Sequence, residues 1–202
     1  ALRKAASAAA KMLAEKQLNS FLLALPQLPV RRLALAEKVR AVAEGILLAD
    51  YRYDRYLPAE RAAEMARLER VSLLISSSHS KAEAEAAVAE AEAIVTAVAF
   101  ARDLVNAPGN EKSPEFLAMQ AVTMAEQVGI NAKLINRAQL EKQGFGAMLG
   151  VAQGSARDPY LIVLEYNGGT ADQKPVALVG KGVTFDTGGI SLKPAEKMDE
   201  MK

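Results

Sequence analysis

The chain has no cysteine, no tryptophan and a single histidine, His79, among its 202 residues. Without thiols it can form neither disulfides nor thiolate zinc sites, which fits a reducing compartment such as the cytoplasm. His79 stands in "SSSHSKAE" with no second histidine to pair with, so it reads as a solvated loop residue and not as a ligand. Ser155, in "QGSARDP", lacks the G-x-S-x-G frame and a nearby histidine, which argues against a serine nucleophile. Charge of one sign is also scarce: 25 Lys and Arg against 24 Asp and Glu leave a net +1, too little to favour nucleic acid or an anionic membrane. Long apolar runs are missing. The densest, "FLLAL" at 21–25, stops at Pro26, far short of a membrane span. The opening "ALRKAASAAAKMLAEK" reads as a helix and not as a signal peptide, and with no initial Met the chain is expected to begin downstream of the gene's start.

What is present is an ordinary globular balance, half hydrophobic and a quarter charged, enough to bury a core. Residues 1–17 are rich in helix formers. "NSFLLALP" (19–26) predicts a short buried strand, and the spacing of Leu33, Ala36, Val39, Val42, Ala43 and Ile46 predicts a helix from Val30 to Tyr51. The run 51–70 interleaves Tyr and Arg with acids and reads as a solvated connector, and 70–77 as a strand. From Ser80, paired with Glu83 as a capping box, a long helix is predicted with Val88, Ala91, Ile94, Val95, Val98, Ala101 and Val105 on one face. It would span roughly 40 Å before Pro108 and Gly109 stop it. The sequence therefore divides into a partial α/β domain (1–79), a linker helix (80–107) and the start of a second α/β domain (108–202). In the second, Ser113 and Pro114 open a helix at 114–128, followed by a strand at 131–136 and a helix at 137–144. "YLIVLEY" (160–166) and "PVALVGKG" (175–182) are expected as central strands covered on both faces. The fold class is α/β.

The stretch "VGKGVTFDTGGISLK" (179–193) is the candidate for chemistry. It is not a phosphate cradle: Pro175 stands where a Walker A loop needs glycine, and Gly182 where it needs a hydroxyl. It is not a dinucleotide fingerprint either, because Phe185 occupies a position that must be small. By spacing alone a tight turn with a solvated Lys181 competes with a metal site, and favourably. The chemistry supports the metal site. Asp186 can hold a hard or borderline dication, and Lys181 arrives at the end of an apolar run. A lysine ligates only as a neutral amine, which a dication within bonding distance can enforce. Lys193, as a cation, could stabilise an oxyanion.

These residues resemble the leucine aminopeptidase (cytosol aminopeptidase) family of two-metal exopeptidases. The resemblance rests on "VGKGVTFDTGGISLKPAEKMDEMK" (179–202), "ARDLVNAPGNEKSPEFLA" (101–118) and "GVAQGSARDPYLIVLEYNGG" (150–169). It is loose over 1–100, which is similar to the later part of the family's N-terminal domain. It implies that Lys181 ligates the more loosely held metal, that Asp186 bridges both, and that Lys193 is the catalytic lysine beside the scissile carbonyl. Met201 is implied in the apolar pocket for the substrate's first side chain. Thr187 and Ala195 depart from the Ser and Gly common in the family. The family's third ligand, an aspartate, falls just past residue 202, and its "DAEGR"-type segment lies later still. The chain is thus expected to be truncated at both ends.

The function implied is removal of N-terminal residues, leucine and other apolar ones preferred, from peptides. The cofactors implied are two divalent ions, manganese or zinc, with magnesium or cobalt as alternatives. A homohexamer is implied for the full protein. The rival reading is a non-catalytic binding or DNA-architectural protein on the same scaffold.

Overall fold

A computed structural model of the chain describes residues 1–25, 33–65, 67–170 and 172–202. It divides into two compact units, Ala1–Asp103 and Leu104–Lys202.

In the first unit, helix α1 (Leu2–Glu15) lies against α2 (Leu35–Asp50). Ala6, Ala10 and Ala14 recur every fourth residue of α1 and are its buried face. Side chains this small let two helix backbones approach closely. The approach centres on Gly45 of α2, where a Cβ would press on the Arg3 carbonyl oxygen and come within 3.1 Å of the Ala6 Cβ. Val39, Val42, Ile46 and Ala49 complete the α2 face and form the core with Leu25 and Ala87. Glu44, buried beside this core, is satisfied by Arg3 and by Arg40 at 3.9 Å, and Arg40 also reaches Glu90 at 2.7 Å.

Strands β1 (Ser20–Ala24) and β2 (Arg70–Leu74) pair in parallel, with Leu23 opposite Leu73. Parallel pairing requires a crossover, and α2 lies within it. Helices and strands alternate in the α/β manner expected. The strand at 19–26 is less buried than its composition suggested, because β2 is its one described partner and Leu22 stays 61% exposed. Pro26, the expected end of that strand, and the expected start of the next helix at Val30 lie outside the described residues. The connector at 51–70 contains a short helix, α3 (Ala59–Glu64), with no buried residue.

Helix α4 (Lys81–Asn106) has 26 residues and begins as its cap predicted, with Ser80 Oγ accepting from the Glu83 amide at 3.3 Å. Its buried face is Ala87, Ala91 and Val95. Ile94 and Val105, expected on that face, are exposed instead. No helix among the described residues is long and apolar enough to cross a membrane.

The second unit opens with α5 (Pro114–Val128), where Ser113 Oγ accepts from the Phe116 amide at 3.1 Å and Gly129 closes the helix. Strand β3 (Asn131–Ile135) follows, then α6 (Arg137–Lys142), whose capping box joins Asn136 and Gln139. Leu140 is fully buried. A further short helix, α7 (Gly146–Ala152), leads to β4 (Leu161–Glu165), antiparallel to β3 with Ile135 opposite Leu161.

Two expectations are corrected here. "YLIVLEY" is a strand, but it is not central and not covered on both faces: its described neighbour is β3 alone, and Leu164 and Tyr166 are exposed. "PVALVGKG" is not a strand. Val176, Leu178 and Val179 are almost wholly exposed, and nothing among the described residues pairs with their backbone. An apolar, β-branched run can be a strand only where a ladder partner satisfies its amides and carbonyls.

Candidate active site

The loop that follows this extended run turns at Gly188 and Gly189, both with positive φ (95° and 73°). Only glycine adopts these values freely. At Gly188 a Cβ would also press on the Ser191 carbonyl and lie 3.0 Å from the Lys193 Cγ, so the loop folds tightly back on itself there. The Lys193 amide donates to the Thr187 carbonyl at 2.9 Å and closes the turn.

This fold-back brings Lys193 onto Asp186. The Lys193 Nζ lies 3.0 Å from Asp186 Oδ2, while the Gly188 amide donates to Oδ1 at 2.9 Å. Both interactions favour the ionised carboxylate. The Gly188 amide has the larger effect, Lys193 the next, and Lys181 a minor one; together they lower the Asp186 pKa from its usual value. Met201 completes the group from the 3-10 turn Met198–Met201. Its carbonyl accepts from the Asp186 amide at 3.0 Å, and its Sδ lies 3.2 Å from the Lys193 Nζ.

Asp186, Lys193 and Met201 therefore meet. Lys181 does not join them in contact: it acts on Asp186 only through its charge and makes no hydrogen bond or ion pair among the described residues. Sequence reasoning missed the Gly188 amide and the Met201 carbonyl. The first was detectable, since an aspartate two residues before a glycine is the pattern of an Asx turn. The second joins backbone atoms far apart in sequence, and no local signal marks it.

As donors for a cation, Asp186 and Lys181 have suitable chemistry, but they are an incomplete set. Among the described residues no three His, Asp or Glu side chains gather in one place.

Two family models cover most of the chain. Residues 99–202 match the catalytic domain of the cytosol aminopeptidase family, and residues 1–60 match its N-terminal domain. The chain belongs to the cytosol aminopeptidase family.

Among curated relatives, a probable cytosol aminopeptidase of Syntrophotalea carbinolica is 52% identical over 202 residues, covering 100% of this chain and 40% of its own length. One from Acidithiobacillus ferrooxidans is 43% identical over 203 residues, covering 99% and 40%. Among solved structures, the bottromycin maturation enzyme in complex with Mn matches with TM-score 0.78 and 33% identity, covering 100% of this chain and 40% of that one. A mutant of tomato leucine aminopeptidase matches with TM-score 0.78 and 28% identity, covering 92% and 37%. The chain thus spans about 40% of the length of the relatives it matches.

Proposed function

We propose that the chain forms part of a metal-dependent aminopeptidase that releases N-terminal residues from peptides, leucine and other apolar residues preferred. The observation that carries this reading is the Lys193 ammonium held between the Asp186 carboxylate and the Met201 thioether, in a chain of this family. A structural neighbour in complex with Mn supports metal dependence.

Asp186 and Lys181 would help hold two divalent ions, manganese or zinc before magnesium or cobalt, with other ligands drawn from the rest of the complete protein. A bound dication of this kind polarises a carbonyl and activates water. The chain's own residues do the following. Gly188 fixes the Asp186 carboxylate in one orientation and keeps it ionised, so its ligating form is ready. Lys193 is roughly one-third exposed, which leaves its ammonium partly shielded from water. There a donor aimed at a developing oxyanion is worth more than it would be in bulk water. Met201 presents a flexible thioether to the side chain of the residue being released. The same reading places the complete protein in the cytoplasm as a homohexamer acting on peptides.

Variants of the complete protein test this. Asp186→Ala is expected to lose bound metal and activity together, as measured by elemental analysis and leucine p-nitroanilide hydrolysis. Lys193→Ala is expected to keep its metal while turnover falls ~100-fold or more. Full metal occupancy in Asp186→Ala would sink the assignment.

A further inference from the structure

The last turn of α4 leaves carbonyl oxygens without helical partners, and these carry the negative end of the helix dipole. Two lysines reach them. The Lys112 Nζ donates to the Val105 carbonyl at 3.3 Å, and the Lys202 Nζ to the Asn106 carbonyl at 3.1 Å. The two differ in setting. Lys112 is buried, only 5% exposed, whereas Lys202 is exposed. Burial, and then the charge of Lys202, lower the pKa of Lys112. A second ammonium beside a buried first one is electrostatically costly, and Lys112 already caps the helix. Capping alone therefore gives no reason for Lys202 to be there.

Its place in the chain gives one. Lys202 directly follows Met201, whose carbonyl holds the Asp186 amide and whose sulfur touches Lys193. The turn carrying Met201 borders open space on one side. A cavity of about 410 Å³, lined by Pro108, Gly109, Asn110, Phe185, Asp199 and Lys202, lies between it and the loop after α4. We propose that Lys202 is a positioning residue, a tether across this cavity that fixes the 198–201 turn and, through Met201, sets Asp186 and Lys193. The catalytic consequence rests on the aminopeptidase reading above; the tether itself rests on the geometry alone.

The test uses the complete protein with Lys202→Met, which removes the donor, and Lys202→Arg, which keeps one. A misplacement of about 1 Å at a reacting group can cost ~100-fold. For Lys202→Met the expected fall in kcat/KM on leucine p-nitroanilide is accordingly about 10- to 100-fold, with Lys202→Arg within about threefold of the parent. Hydrogen exchange gives a readout independent of turnover. In Lys202→Met the Asp186 amide is expected to exchange at least about tenfold faster, while the Phe116 amide, held by Ser113, is unchanged. An unchanged Asp186 amide overturns the proposal, as does Lys202→Arg being impaired as much as Lys202→Met. Loss of protection throughout Lys202→Met also overturns it, because the lysine would then be holding the fold and not the site. A parent protein without aminopeptidase activity refutes the functional reading, and the exchange measurement still decides the tether.

Discussion

Replacing Gly45 by alanine sets two known effects against each other. In a helix interior, glycine to alanine is normally stabilising by about 0.5–1 kcal/mol, since it removes backbone freedom from the unfolded chain. At Gly45 the new methyl group would meet the Arg3 carbonyl oxygen and the Ala6 Cβ, the latter at 3.1 Å. Overpacking of this kind costs about 1–3 kcal/mol. The upper part of that range applies, because the obstacle is a backbone oxygen that cannot rotate aside. Relief would require α1 to shift away from α2, which would also loosen the pairing of Arg3 with the buried Glu44. The net expectation for Gly45→Ala is a loss of about 1–2 kcal/mol. Gly150 provides the control. It lies within α7, and a Cβ there would meet nothing within 4 Å. Gly150→Ala should therefore be neutral or stabilising by up to about 1 kcal/mol. Urea denaturation followed by far-ultraviolet circular dichroism measures both. If Gly45→Ala matches or exceeds the parent in stability, the proposed close approach of α1 and α2 is wrong.

Other expectations follow from the same geometry. The folded pKa of Asp186 is depressed below its unfolded value, so its contribution to stability is full above the unfolded value and disappears as pH falls through the folded one. In the metal-free protein a carboxyl-carbon titration by NMR should give a midpoint below the ordinary aspartate value near ~3.9. Lys193→Ala should raise that midpoint only part of the way, since the Gly188 amide remains; a full return would refute the ranking of the two partners. Leu140→Ala empties a fully buried position and should cost about 2–5 kcal/mol, read from the urea midpoint of the second unit. Residues 1–202 expressed alone should not hydrolyse leucine p-nitroanilide with added manganese and should aggregate, given the exposure of Val176, Leu178 and Val179. A monodisperse, active product would contradict that.

Much of the fold was legible because its signals are local. Ser80 and Ser113 mark helix starts by chemistry that acts within one turn, and both accept from the amides expected of a cap. The periodicity of Val39, Val42 and Ile46 likewise set the buried face of α2. The apolar runs at 160–166 and 175–182 were harder to read, because such a run reports only that burial is wanted. What would bury it lies elsewhere in the chain, and in the second case no described segment does so. Short helices α3 and α7 went unread because stretches of one or two turns carry too little periodicity. At the site, the roles of Lys181, Asp186, Lys193 and Met201 came from resemblance to a family, not from spacing. The Asn106 contact of Lys202 depends on three-dimensional closure and left no mark in the sequence at all.

The bonds that close the loop also bear on where its length could change. The Asp186 amide is pinned to Met201, and within that circuit the Lys193 amide is pinned to Thr187. A residue inserted at 188–192 would break the inner ring and carry Lys193 off Asp186. The segment 194–197 lies outside the inner ring and is solvent-exposed. Lengthening a flexible loop costs little, about 0.6 kcal/mol for each doubling, and exposed loop tips are where insertions are best accepted. Among related chains, additions should thus gather at 194–197, and the seven positions from Thr187 to Lys193 should keep their number even where their side chains differ.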